Sequence, residues 1–266
     1  MQRRRFLVSA LAASALSIAR PDGYLQAEEA GGNAREFYQL RCYRLTSGPQ
    51  RKLTDDFFRD ALVPALNRLG ISPVGVFTLT IGPETPSTYV LMPGFSLDTL
   101  ALVEFRLAQD SEYLKAGAAF LNAPAKEPAF VRVESWLLQA FENMPKLTLP
   151  AASVARGPRV FELRTYESSS DQDHKLKVDM MQYEGGIFAK AGFWPVFFGD
   201  TLIGSRLPNL TYMLSYESLA ERDKKWAAFS SSLEWKSLSG QAKYAFEDLV
   251  SNVTNLMLAP AAYSQI

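Results

Sequence analysis

The chain has 266 residues, 47% of them hydrophobic and 21% charged, with no net charge and one histidine. That length accommodates one large domain or two small ones. The charge balance leaves no strong field to attract nucleic acid or anionic lipid, and a lone His174 cannot build a histidine-rich metal centre.

In chain order, residues 1–27 come first as a separate object. Arg3-Arg4-Arg5-Phe6-Leu7 is followed by an apolar run from Phe6 to Ala19 and by small residues that offer cleavage points. This is the layout of an export signal, and the arginine pair before Phe-Leu resembles a bacterial twin-arginine (Tat) signal. A Sec signal is the plainer alternative. At 14 residues, the run is short of the ~20 needed to span a bilayer. The expected product is an exported, periplasmic protein, soluble after signal removal and with no stable membrane span. Without residues 1–27 the chain keeps 24 basic and 27 acidic groups. Residues 28–36 read as a flexible leader.

Residues 37–142 carry a first unit. Aromatic and alternating residues predict a strand over 37–45, and Leu53, Phe57, Phe58, Leu62, Leu66 and Leu69 predict a helix that ends at Gly70 and kinks at Pro64. Strands follow at 73–81 and 88–92, helices at 97–108 and 111–121, and a strand at 130–141. Residues 143–158, with prolines and little periodicity, read as a linker. Residues 159–266 repeat the order with strands at 159–166, 193–203 and 210–216, helices at about 171–191, 218–229 and 233–245, and a last strand within 247–258.

The two units are copies. Leu40, Arg41 and Tyr43 return as Leu163, Arg164 and Tyr166, 123 positions later, and Ile81-Gly82 as Ile203-Gly204, 122 later. A repeat of that length means duplicated domains. The expected fold is α+β: two tandem ferredoxin-like β-α-β-β-α-β units pairing as a pseudo-dimeric α/β barrel, with helices outside.

Phe161-Glu162-Leu163-Arg164-Thr165-Tyr166, the run from Tyr212 to Asp223 and Leu233-Glu234-Trp235 resemble the NIPSNAP family, and the first unit is a degenerate version of the same pattern. The resemblance implies the dimeric α/β-barrel superfamily, which includes small monooxygenases, haem-binding enzymes and proteins of no known activity. It implies no agreed reaction, and it makes a homo-oligomer an expectation.

Alternation places Tyr38, Leu40, Cys42, Phe161 and Leu163 on one face of the opening strands, and Gln39, Arg41, Tyr43, Glu162, Arg164 and Tyr166 on the other. The apolar set is expected under the helices. Arg41, Tyr43, Glu162, Arg164 and Tyr166 are then expected to line a shared interior. There they either pair among themselves as structure or hold a small anionic ligand. The aromatic-rich second unit suggests an aromatic ligand as the other option, against plain core packing. His174, in a polar helix start, reads as exposed. No haem site, Gly-rich dinucleotide loop or phosphate loop is evident, so no cofactor is expected. The function expected is binding of a small molecule, or cofactor-independent catalysis, in the barrel interior. A structural or protein-interaction module is the alternative.

Overall fold

The structure, a computed structural model, describes residues 34–266. The expected export signal and the leader up to residue 33 lie outside the described residues. At the end of that leader Glu36 is held in place: its carboxylate accepts from the Leu147 N–H at 2.6 Å, and its own N–H donates to Pro145.

The first half runs β1 (Phe37–Arg44), α1 (Pro49–Phe57), a π-helical turn (Phe58–Leu62), α2 (Val63–Arg68), β2 (Gly75–Ile81) and β3 (Ser87–Gly94). Four short helices follow, α3 (Leu97–Ala101), α4 (Val103–Leu107), α5 (Ser111–Ala116) and α6 (Ala118–Leu121), and then β4 (Arg132–Ala140). The linker contains α7 (Ala151–Val154). The second half runs β5 (Val160–Glu167), α8 (Asp171–Lys190), β6 (Trp194–Ile203), β7 (Asn209–Tyr216), α9 (Leu219–Ser231), α10 (Leu233–Ser239), α11 (Phe246–Leu249) and β8 (Asn252–Pro260). The break at Pro64 takes the form of a π turn just before it, with the Val63 N–H reaching back to the Phe58 carbonyl. A proline has no N–H for the helical ladder and its ring crowds the preceding turn, and a widened turn relieves both.

All eight strands join one closed antiparallel barrel in the order β1-β3-β2-β8-β5-β7-β6-β4. Each half alone would leave two raw sheet edges. β2 pairs with β8 and β4 with β6, so the halves meet edge to edge and no edge is left open.

Apolar residues gather in three places. The barrel interior is filled from both halves by Tyr38, Leu40, Cys42, Phe77, Leu91, Phe161, Leu163, Phe197, Met213 and Leu258. One cluster under the helices of the first half contains Tyr43, Phe57, Phe58 and Leu66. Another under those of the second contains Tyr166, Met181, Phe188, Tyr212 and Phe229.

The expected orientation of the opening strands is therefore reversed. The apolar set points into the barrel, and the Arg-Tyr set points out under the helices. A narrow closed interior can supply no counter-charge from outside, so it takes side chains with few polar atoms. A covering helix can bring a charge of its own, and here it does.

Candidate functional site

The five residues expected to share an interior lie in two separate places. In the second half Glu162, fully buried, accepts hydrogen bonds from Arg164 Nη1 (2.8 Å), Arg222 Nη2 (2.6 Å) and Nε (3.0 Å), Tyr216 Oη (2.9 Å) and Trp226 Nε1 (3.0 Å). Arg164 also donates to Tyr166 Oη at 2.8 Å and stacks against the Trp226 ring at 4.5 Å. Burial acts to raise the Glu162 carboxyl, but Arg222, Arg164 and Trp226 outweigh it and hold it below its ordinary value. Five donors saturate a carboxylate, which has about four lone-pair sites.

In the first half Arg41 binds Glu104 of α4 and donates to Gln39 Oε1 at 3.1 Å. Tyr43 packs edge-on against Phe58, with ring centroids 4.8 Å apart. The two clusters are the same device with its polarity exchanged. In the second half the strand supplies the acid and the helix an arginine; in the first the helix supplies the acid and Gln39 stands where Glu162 would be. Both clusters tie a helix to the sheet, and Arg164 Nε is a buried donor among them with no partner in the described residues.

His174 is another correction. It is buried on α8, with Nε2 2.7 Å from Asp200 Oδ1 and no partner for Nδ1 among the described residues. Nearby on the same helix, Lys177 and Glu184 form a buried pair at 2.5 Å. Helical spacing turns these polar residues toward β6 and β7, which the sequence "DQDHK" conceals behind its charge.

Open space lies in the barrel itself. At the end where β1 and β5 finish, both halves wall a cavity of about 380 Å³. Leu40, Leu163 and Leu256 give it an apolar floor. The rim consists of two hairpin loops, β2–β3 with Pro83 and Glu84, and β6–β7 with Ser205 and Arg206. Glu84 and Arg206 are 122 positions apart and share a left-handed backbone, with φ of 57° and 62°. The repeat thus places opposite charges at equivalent tips.

The walls are unequal in the same way. Strand register sets Cys42 beside Tyr89 and Glu134, and sets Thr165 beside Thr211 and Thr254. Tyr89 and Glu134 on one side therefore face threonines on the other, and those smaller side chains leave the space. Thr165 and Thr211 share a hydrogen bond at 2.8 Å. Trp136 crosses from the first half to the second: its Nε1 donates to Ser205 Oγ at 3.2 Å, and a Cβ on Gly204 would lie 2.2 Å from its ring. Only glycine leaves the indole that position.

Sequence reasoning missed these wall residues. The signal was present in the repeat, where equivalent positions hold unlike residues: Tyr89 against Thr211, and Glu84 against Arg206. At the barrel's other end Leu147 of the linker and Ile266 pack onto the interior cluster. Among the described residues no helix is long and apolar enough to cross a membrane.

The family model described as NIPSNAP matches residues 161–265. Among solved structures, a "putative monooxygenase" from Lactobacillus acidophilus NCFM superposes with a TM-score of 0.54 at 7% identity, covering 85% of this chain and 94% of that one. Another protein described in the same words, from Fusobacterium nucleatum subsp. nucleatum, does so with 0.51 at 9% identity, covering 85% and 93%. An anthrone oxidase-like protein gives 0.50 at 12%, covering 85% and 92%. No curated protein matches this sequence. At such identities the likeness is one of fold. Residues 161–265 are thus similar to the NIPSNAP family, and they join the first half in an α/β barrel, closed within one polypeptide, of the fold these solved structures share.

Proposed function

We propose that the protein binds one small molecule per chain in the barrel-mouth cavity. One observation carries the reading: the cavity is walled by both halves and exists where the repeat departs from symmetry, with Thr165, Thr211 and Thr254 opposite Tyr89 and Glu134. An apolar floor with a few convergent polar groups is the usual composition of a ligand site. Arg41, Tyr43, Glu162, Arg164 and Tyr166 support the walls from outside.

The test is mass spectrometry of small molecules retained by the purified chain, with Thr211→Tyr as the comparison. That substitution copies Tyr89 across the repeat and fills the space. The expected result is a retained compound in the parent that is absent from a folded Thr211→Tyr. Equal retention by both proteins would move the site elsewhere.

The N-terminal sequence supports export by the twin-arginine route. Replacing Arg3 and Arg4 by lysine should leave the protein inside the cell, measured by fractionation; export unaffected by the change would mark the signal as Sec.

A further inference from the structure

The charged groups around the cavity cancel. Four charged side chains line it, Arg44 and Arg206 against Glu84 and Glu134. Arg44 Nε lies 2.9 Å from Glu134 Oε2 and 3.1 Å from Glu84 Oε2. Glu84 Oε2 is also 2.9 Å from Arg132. Arg206 Nη1 lies 3.0 Å from Glu167 and donates to Thr254 Oγ1 at 3.0 Å. Every arginine at the mouth thus has its carboxylate. A charged ligand would have to lose its water and displace one of these pairs, leaving the partner unmatched.

The polar capacity left over belongs to neutral hydrogen bonding. Glu134 Oε1 has no hydrogen-bond partner among the described residues, Tyr89 Oη has only the weakly bonding Cys42 thiol beside it, and the Thr165–Thr211 pair keeps one hydroxyl proton to donate. Burial, with Cys42 beside it, holds the Tyr89 phenol above its ordinary value, so it stays a donor. Glu134 Oε1 accepts. Tyr89 and Trp136 both line the cavity and give it aromatic surface.

We infer that the molecule held in this cavity is uncharged and planar, with both a hydroxyl and a carbonyl; the inference rests on the cavity being the binding site. The hydroxyl donates to Glu134, and the carbonyl accepts from Tyr89 or the threonine pair. This replaces the anionic ligand that the two arginines at matching positions of the repeat suggested, since Arg41 and Arg164 do not line the cavity.

Three para-substituted phenols of similar size separate the cases: 4-hydroxyacetophenone (neutral), 4-hydroxybenzoate (anionic) and tyramine (cationic), titrated calorimetrically into the full chain at pH 7. The neutral probe should bind at least about tenfold tighter than either charged one. Tyr89→Phe should weaken it about two- to tenfold, the usual range for one lost hydrogen bond. Thr211→Tyr should abolish binding, with Thr254→Leu as a second filling variant and thermal melts checking that both fold. If a charged probe binds as tightly as the neutral one and Thr211→Tyr blocks it, the ligand class is overturned while the cavity stands. If no probe binds, or if filling the cavity changes nothing, both fall.

Discussion

At the scale of residues, Glu162 is the most heavily bonded side chain described above, and the first half holds the control experiment. Its equivalent there is Gln39. Glu162→Gln would leave the mostly buried Arg164 and the half-buried Arg222 facing a neutral amide. Removing one member of a buried ion pair costs about 3–5 kcal/mol, and chemical denaturation should show a loss of that order at pH 7. Its pH dependence follows from the depressed carboxyl. The stability that the ionised group contributes is complete above its unfolded value of 4.5 and is lost as pH falls through the lower folded value. The variant should therefore lose less stability than the parent between about pH 5 and pH 2. A parallel acid limb in the two proteins would remove Glu162 from this role. The residues of this cluster were legible in the sequence as a set, because strand alternation groups them. Which side of the sheet they faced was not legible, because alternation has no sign. Arg222 and Trp226 fix it from α9, sixty or more positions away.

At the scale of elements, the strands and the long helix α8 follow the sequence closely, since alternation and helical spacing are local signals. The second helical layer of the first half fragments into α3 to α6 where one helix followed by another was expected. Its counterpart α9 runs 13 residues. The first-half sequence lacks the Glu-Arg-Asp start, and Gly117 interrupts it, with Phe57 2.9 Å from where a Cβ would stand. Two glycine substitutions discriminate helix from hairpin. Gly186 lies exposed in α8 with open space around it. Gly186→Ala should stabilise the protein by about 0.5–1 kcal/mol, the usual cost of glycine in a helix. Gly204→Ala must push Trp136 aside and should destabilise by about 1–3 kcal/mol. Thermal melts read both, and a neutral Gly204→Ala would mean that the indole is not held against that loop.

At the scale of the whole molecule, the two halves share an interior that neither could close alone. The described chain should consequently unfold as one unit. Trp136 reports on the first half, and Trp194, Trp226 and Trp235 on the second. Tryptophan fluorescence and far-ultraviolet circular dichroism should give coincident urea transitions; two separated steps would show that the halves fold independently. That the two halves follow the same order of elements was readable from spacings of 122 and 123 residues. The cavity was not, because it arises from the difference between halves rather than from either half. That difference has a consequence for recognition. A barrel of two identical halves presents every visitor with two equivalent ways round, related by its symmetry axis. Here tyrosine and glutamate stand on one side and threonines on the other, so a bound molecule has a front and a back. Two similar but unequal halves turn a symmetric opening into one that can tell the two ends of its guest apart.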